Sequence, residues 1–316
     1  GFVRNEKLRQ ALSFHTLLVG GNPMQTSSIY ALIHHLEKTG GVWFARGGTN
    51  ALVAGMAALF ERLGGRLILG DAVSQIEHSA SRVTGVVTAS GLKLSAGMVA
   101  SNGDLVHTYG LIAGSAYAAR RLRTLKRRRF SPSLFVVHFG LKGTFPDIAH
   151  HSILFSDRYR PLLDDIYHRG KLPDDPSIYL HHPSITDPAM ASPGKSAFYA
   201  LAPVPHMGKA PVDWAQEGPR YREVVLDRVR DMLIPDLRDR LDVCFHYTPQ
   251  DFATDLGAHL GSAFSLEPLL TQSAWFRAHN RDDHFANLYF TCAGTHPGAA
   301  IPGVVGSAKA TASLML

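Results

Sequence analysis

The run NLYFTCA (Asn287–Ala293) leads directly into GTHPGAAIPGVVGSAKATASL (Gly294–Leu314), and this junction sets the fold class of the chain. An apolar run, then glycines and prolines, then Ala, Ser and Leu predict a strand, a turn and a helix. Pro302 fits the first helical position, where no backbone N–H is needed. The turn also carries three glycines that would let another group approach the backbone: Gly294, Gly298 and Gly303.

The bare backbone of this turn has two interpretations. A helix N-terminus carries a partial positive charge and free N–H groups, so it attracts anionic or electron-rich groups. A flat or phosphorylated ligand could therefore lie on the main chain. The alternative is an ordinary strand-to-helix turn, and the pattern alone leaves both open.

The composition indicates a globular protein with a large apolar core. The chain has 316 residues, of which 45% are hydrophobic and 18% charged, enough for two domains or one interleaved domain. No apolar run approaches the ~20 residues that span a bilayer, so a soluble or peripheral protein is expected. Two cysteines, Cys244 and Cys292, give no disulfide framework and favour a reducing compartment. Because the chain begins at Gly1 rather than Met, upstream sequence is expected to be missing.

The net charge of +6 is concentrated in one short run. Such a run could bind nucleic acid, dock on anionic lipid headgroups, or belong to a solvated helix. It lacks interleaved aromatic residues or a known motif, so nucleic-acid binding is not expected. The run consists of Arg120, Arg121, Arg123, Lys126, Arg127, Arg128 and Arg129.

The first third of the chain predicts helices and short strands. Apolar residues from Leu8 to Leu18 keep helical spacing until GGNP, and a second helix is expected at about 26–38. The run VWF (Val42–Phe44) predicts a strand. The following helix is expected to begin with Thr49 as N-cap and to end at Leu63. Four β-rich runs follow this helix: RLIL, AVSQIEH, RVTGVVTA and LKLSAGMVA. They predict one strand directly after the helix and then an antiparallel meander.

The middle of the chain has a different pattern of predicted elements. SLFVVHFGL, SIYLHH and SAFYALAPVP alternate with Pro-rich loops, and one long helix is expected at about 214–233. This pattern favours a mostly antiparallel sheet with helices on one face. The α/β pattern occurs around 46–106 and 286–316, so the fold class is α/β plus α+β, with one domain inserted into another.

The seventeen histidines predict no metal site. Adjacent histidines on a helix or strand are not expected to face one point, and no HExxH or Cys/His cluster accompanies them. Surface or locally hydrogen-bonded histidines are the expected result. The adjacent pairs are His34-His35, His150-His151 and His181-His182.

Several long stretches resemble bacterial and fungal phytoene desaturases, the carotenoid-forming flavoenzymes related to amine oxidases. They are AGTHPGAAIPGVVGSAKATASLML at the C-terminus, LRQALSFHTLLVGGNPMQTSSIYALIHHLE, GVWFARGGTNALVAGMAALFERLGG and GSAFSLEPLLTQSAWFRAHNRD. The resemblance covers essentially the whole chain.

The resemblance implies a Rossmann-like FAD domain with an inserted substrate domain. In the family the FAD domain begins with a strand, a GxGxxG turn and a helix. No such fingerprint occurs here, so an incomplete FAD domain lacking the N-terminal βαβ unit is expected, and flavin binding by this chain alone is not expected. Residues 46–106 and 286–316 would be FAD-domain segments. Residues 1–45 would be a helical part of the substrate domain, and 107–285 its substrate-binding and membrane-associating part.

The resemblance also implies roles for individual residues. Val73 would offer a backbone contact to adenine, and Gly294 and Thr295 would approach the ribityl and pyrophosphate region. The residues that open the last helix would face the pyrimidine edge of the flavin: Pro302, Gly303 and Val304. The apolar site for a polyene would use Phe264, Leu266, Leu269, Trp275 and Phe276, each of which core packing would also explain.

The implied activity is FAD-dependent desaturation of phytoene toward lycopene or a related carotenoid, by hydride transfer to the flavin. The residue that accepts the proton stays unidentified; His296 is a candidate, and a structural role in the turn is its alternative. A related carotenoid flavoenzyme (isomerase, ketolase-like oxidase or shorter-chain desaturase) and a non-catalytic polyprenoid- or membrane-binding module remain open. The expected partners are a carotenoid substrate and a membrane surface, in a cytoplasmic, peripheral-membrane location, and a homo-oligomer stays open.

Overall fold

The computed structural model describes residues 3–316 and divides them into two units. The first unit combines the segment ending at His35 with Ile68–Ser131 and Phe252–Leu316. The second combines Leu36–Leu67 with Pro132–Asp251. The chain therefore leaves and re-enters each unit. The assignment of individual segments to FAD or substrate stays a prediction.

Regular elements are spread along the whole of residues 3–316. The α-helices are α1 Glu6–Ser13, α2 Leu32–Gly40, α3 Gly48–Arg62, α4 Leu105–Gly110, α5 Ala116–Lys126, α6 Tyr159–Asp164, α7 Trp214–Met232, α8 Leu237–Arg240, α9 Pro249–Leu256 and α10 Ile301–Met315. The strands are β1 Val73–Ser79, β2 Arg82–Thr88, β3 Lys93–Ser95, β4 Val99–Ser101, β5 Ser133–Lys142, β6 His151–Leu154, β7 Ile178–His181, β8 Lys195–Val204, β9 Leu241–Tyr247 and β10 Leu288–Phe290.

The first unit is built on an antiparallel meander and a parallel strand pair. Strands β1, β2 and β3 form the meander, and β10 pairs in parallel with β4. Buried Asn287 joins the two: its side chain accepts from Val83 N at 2.9 Å and donates to Gly97 O at 2.7 Å. The core beneath them is apolar and includes Ile76, Leu105, Tyr109, Phe285, Leu288 and Phe290.

The second unit is a five-stranded sheet in the order β6-β7-β8-β5-β9, with every neighbouring pair antiparallel. Along β8 the residues alternate between buried and half-buried, which is the period of a strand with one core face. The buried face packs with α7 into one core; its members include Phe135, Phe139, Leu180, Tyr221, Val225 and Val229.

Most of the predicted elements are confirmed. The meander, the antiparallel sheet, the long helix α7 and the C-terminal strand, turn and helix are all present. The first predicted helix is α1 continued by a 3₁₀ helix, Phe14–Val19, which ends at the left-handed Gly20. The second is a 3₁₀ turn, Ser28–Ala31, followed by α2.

Two predicted strands are wrong. Val42–Phe44 and Arg66–Leu69 lie outside any strand, and Trp43 is 89% and Leu69 85% exposed. A β-prone run becomes a strand only when a neighbour supplies ladder hydrogen bonds, and none of the described residues pairs with either run.

Two predicted helix starts are also corrected. Helix α3 is preceded by left-handed Gly47, not by Thr49, which lies inside the helix. Gly47 N instead donates to Asp187 Oδ2 at 2.8 Å, so a distant carboxylate replaces a local cap. Pro302 is the second residue of α10, because the helix begins at Ile301 after Ala300 at φ 70°.

The basic run lies on α5 and in the turn that follows it, and its last residue has a structural role. Arg129 Nε lies 2.9 Å from Glu267 Oε2, and the Glu267 side chain is 0% exposed. Arg129 Nη2 also donates to Gln25 Oε1 at 3.0 Å. Of the other cations, Arg121 is half-buried and the rest are exposed. Within residues 3–316, every helix is too short or too polar to cross a bilayer.

We expect Arg129→Gln to destabilise the first unit by about 2–3 kcal/mol, because it removes the positive charge that lies against the buried Glu267 carboxylate. Arg127→Gln removes the same charge from an exposed position and should stay within about 0.5 kcal/mol of the parent. Urea unfolding of both variants measures the difference. Equal midpoints would mean that the Arg129–Glu267 pair contributes nothing.

Candidate functional site

Two strand-to-helix junctions lie side by side in the first unit. Parallel strands β4 and β10 end at the same edge, and each is followed by a turn and a helix, α4 and α10. The turns are linked, because Asn102 Nδ2 donates to Thr291 O at 2.6 Å. In open α/β sheets, ligands bind outside the carboxyl ends of the strands, so this edge is the candidate site.

The start of the turn after β10 is closely packed. A Cβ added to Gly294 would lie 2.7 Å from Ser265 Oγ and 3.0 Å from Leu105 Cδ1. Thr295 is fully buried, and its Oγ1 donates to Cys292 O at 2.8 Å and lies 3.0 Å from Ser307 Oγ. Gly294 and Thr295 therefore fix the turn to its surroundings, whatever else they contact.

Gly303 is required by the chain itself. A Cβ at Gly303 would lie 2.6 Å from the carbonyl oxygen of Gly298, far inside van der Waals contact. Gly298 has φ +147° and Ala300 has φ 70°, so the turn folds back over the first helical residues. The missing side chain at Gly303 thus has a structural cause that needs no ligand.

Two buried polar residues, which the sequence analysis did not single out, hold this turn. Arg277 Nε donates to Thr295 O at 3.0 Å, and its Nη2 donates to Ala293 O. Asn280 Nδ2 donates to His296 O at 3.0 Å and to side chains on α10. Burial lowers the pKa of the Arg277 guanidinium below its usual value. The signal in the sequence was that Arg277 and Asn280 closely follow the aromatic pair of SAWFRAHN.

The N-terminus of α10 is open. Ala300, at the N-cap position, supplies no side-chain cap, and Ile301 is 53% exposed. Pro302 is exposed, and Gly303 and Val304 are half-buried. Pro302 has no backbone N–H, and Val304 N donates to Ala300 O at 2.9 Å, so Ile301 and Gly303 carry the N–H groups that this helix end can offer to an electron-rich group.

The remaining predicted site residues fall into several environments. Val73 is at the start of β1, opposite Thr88, and is 37% exposed. Leu266 is buried in the core and bridges to Phe130, whereas Phe264 and Leu269 are half-buried. Their assignment to cofactor or substrate stays a prediction.

Two of the aromatic residues predicted for the substrate lie on the surface beside a cleft. Trp275 is 78% and Phe276 65% exposed. Trp275, exposed His296 and Leu314 help to line a cleft of about 530 Å³. His296 therefore has access to this cleft, while its carbonyl is fixed by Asn280.

A second candidate surface is the open face of the five-stranded sheet. The register places His181, Tyr199, His138 and Phe245 in one row across β7, β8, β5 and β9. The ring centroids of His138 and Phe245 lie 4.9 Å apart in a stacked arrangement, and those of His181 and Tyr199 lie 4.6 Å apart. Phe245 is 57% exposed and the other three side chains are half-buried, so the row is an aromatic strip whose Phe245 end is exposed.

The chain resembles known flavoenzymes over its whole length. The family model described as flavin containing amine oxidoreductase matches residues 1–316. The chain is 58% identical over its full length to a lycopene-forming phytoene desaturase of Paracoccus sp. (strain N81106 / MBIC 01143), of which it covers 63%. It is 54% identical over its full length to a lycopene-forming phytoene desaturase of Pseudescherichia vulneris, of which it covers 64%.

A solved structure supports the fold. An oxidoreductase from Methanosarcina mazei superposes with a TM-score of 0.65 at 16% identity, covering 99% of this chain and 65% of that protein. The chain thus spans slightly less than two thirds of the length of these relatives.

We expect Gly303→Ala to destabilise the chain by about 1–3 kcal/mol, because the new Cβ forces the Gly298 carbonyl to move. Gly306→Ala is the matched control on the same helix: its Cβ would lie 3.4 Å from Pro297 Cγ, an ordinary contact, and Ala favours the helix by up to about 1 kcal/mol. Thermal unfolding of the two variants should shift in opposite directions. A neutral Gly303→Ala would show that the turn has room to relax.

Proposed function

The chain belongs to the flavin-containing amine oxidoreductases, and on that premise we propose that the whole protein is an FAD-dependent phytoene desaturase. The observation that carries the proposal is identity of 58% and 54%, over the full chain, to two lycopene-forming phytoene desaturases. The open N-terminus of α10 at the shared edge of β4 and β10 supports it.

The residues of this edge fit a flavin. Ala300 gives this helix end no side-chain cap, and the N–H groups of Ile301 and Gly303, on either side of Pro302, are the ones it can offer; Ile301 is 53% exposed. When bound, the flavin supplies a ring that accepts a hydride from the substrate. Because a helix N-terminus stabilises the negative charge that then develops, α10 would favour this step electrostatically.

The contribution of the surrounding residues is to hold this helix end still. Arg277 binds the carbonyls of Ala293 and Thr295, and Asn280 binds the carbonyl of His296 and hydroxyls on α10. A preorganised site stabilises charge without rearranging during the reaction. Arg277 and Asn280 are therefore positioning residues for the helix N-terminus.

We propose apolar surfaces of the chain as the binding region for the polyene. A C40 polyene has no polar handle, so its site should consist of aromatic and aliphatic side chains. The aromatic row that includes Tyr199, His138 and Phe245 offers such a surface, and so do Trp275 and Phe276 beside the cleft. A carotenoid isomerase, a ketolase-like oxidase or a shorter-chain desaturase would use similar surfaces, and product analysis separates them.

We also propose that the protein docks on membranes, where phytoene dissolves. The basic run adjoins an exposed apolar segment, since Arg128 Nη1 donates to Thr271 O at 3.3 Å and Leu270 is 71% exposed. Arg128, Trp275 and Phe276 line one pocket. Cationic and apolar side chains on the same surface are the combination that anionic bilayers attract.

We expect the whole protein, supplied with FAD and phytoene in liposomes, to form coloured carotenoids. Val304→Asp should slow flavin reduction by roughly fivefold or more, because a carboxylate at this helix end opposes the developing negative charge by about 1 kcal/mol. Stopped-flow bleaching of the flavin absorbance measures this rate.

Val305→Asp is the matched control, since it places the same charge on the same turn of α10 at a residue that is 52% exposed. It should reduce the rate less than Val304→Asp does. Coloured product from a flavin-free protein, or equal effects of the two substitutions, would contradict the assignment.

We expect liposome flotation of the full chain to increase with anionic lipid and to decrease with salt. Arg120, Arg123 and Arg127 changed together to Gln should weaken binding by roughly 100-fold, at about 1 kcal/mol for each cation. Arg129 is kept, because its pairing with Glu267 is structural. The control is a second triple variant, in which Lys38, Arg62 and Arg66 are changed to Gln, because it loses the same charge outside the basic run. Flotation that both triple variants retain would rule out docking through the basic run.

A further inference from the structure

Three histidines of the second unit converge at the edge of its sheet. His151, at the start of β6, lies directly opposite His181, at the end of β7, and His150 precedes β6. One ring nitrogen from each of the three lies within 4.8 Å of the other two. The Nε2 atoms of His150 and His181 are 2.8 Å apart. The expectation that adjacent histidines do not face one point is therefore wrong here, because the antiparallel register adds a partner from the next strand.

Neighbouring hydroxyl groups fix two of the rings through their other nitrogen. His150 Nδ1 lies 2.5 Å from Thr186 Oγ1, and His151 Nδ1 lies 2.6 Å from Tyr179 Oη. Each contact leaves Nε2 as the nitrogen available to a ligand. A hydrogen bond on one nitrogen that orients the ring is the usual arrangement behind a metal-binding histidine.

We propose that His150, His151 and His181 form a binding site for a divalent transition-metal ion such as Zn²⁺, with water as the fourth ligand. Three imidazoles and no carboxylate favour a borderline-soft ion over Mg²⁺ or Ca²⁺. His151 is exposed, which gives the ion a path from solvent. The proposal stands independently of the desaturase function.

The geometry needs only a small side-chain adjustment. Zn–N bonds of about 2.0–2.1 Å in a tetrahedron place two ligand nitrogens about 3.3 Å apart. The His150–His181 nitrogens, at 2.8 Å, would separate by about half an ångström, and the more distant nitrogen would move closer. Rotation about side-chain bonds is sufficient for both movements.

Aromatic side chains pack against two of the three rings. Phe44 packs edge-on against His150, with ring centroids 4.7 Å apart, and Tyr199 packs against His181 at 4.6 Å. These contacts restrict the orientations of the His150 and His181 rings.

A bound ion would fasten the edge of the sheet. Strand β6 is the last strand in the order β6-β7-β8-β5-β9, so it has a ladder partner on one side within the described residues. One ion held by His150, which precedes β6, by His151 on β6 and by His181 on β7 would join the two strands in addition to their backbone ladder. We assign the ion a structural role, with no part in hydride transfer.

The test is a Zn²⁺ titration of the full chain in competition with a chromophoric chelator. We expect one high-affinity site, with affinity reduced at least roughly 100-fold in His151→Gln, since loss of an orienting partner alone costs about 10- to 100-fold. His279→Gln is the matched control: His279 is also exposed, and its one hydrogen bond, to Trp275 O, is 3.4 Å long. It should bind Zn²⁺ as the parent does.

A second measurement on the unmodified chain guards against a variant that fails to fold. Co²⁺ in a tetrahedral nitrogen site absorbs strongly in the visible, and Zn²⁺ should displace it at one equivalent. Zn²⁺ binding that is equal in the parent and His151→Gln would overturn the proposal. So would a Co²⁺ spectrum of the octahedral aqueous type, which would leave a hydrogen-bonded histidine pair that needs no metal.

Discussion

The hydrogen bonds from Arg277 and Asn280 to the turn after β10 are the interaction on which the candidate site depends. The carbonyl groups of Ala293, Thr295 and His296, which these two side chains bind, lie between strand β10 and helix α10 and belong to neither element. A buried carbonyl without a donor costs about 1–3 kcal/mol, and a fixed guanidinium and amide supply several donors at once. The position of the α10 N-terminus follows from this network, because the same amide also binds Ser307 and Thr311 on the helix.

The sequence predicted those parts of the fold that local pattern determines. Alternation in SAFYALAPVP and helical spacing between Trp214 and Met232 are properties of single segments, and both elements formed as predicted. VWF and RLIL failed because a strand also needs a neighbour, which no segment encodes by itself. The role of Arg277 and Asn280 was not predictable for a related reason, because their hydrogen-bond partners lie 10–31 residues further along the chain.

The histidines show how register can reverse a conclusion drawn from spacing. Two adjacent residues on one strand point to opposite faces, so the pair His150-His151 alone does not predict a common ligand. His150 precedes β6, however, and is free of that alternation, while the antiparallel ladder brings His181 opposite His151. Gly303 is the opposite case. The sequence suggested that its missing side chain makes room for a ligand, but the carbonyl of Gly298 already excludes a side chain at this position.

Cations that look alike in the sequence also separate into different roles. Arg127 and Arg129 lie two positions apart in the sequence. Arg127 faces solvent, whereas Arg129 neutralises the carboxylate of Glu267, which is fully buried. The Arg129 charge is therefore committed to the fold, and only the exposed members of the run remain available for an external anionic surface. Because an exposed cation contributes little to stability, such positions can acquire or lose charge without affecting folding. Electrostatic attraction to a membrane and stability of the first unit are thus separable properties, although one continuous basic run encodes both.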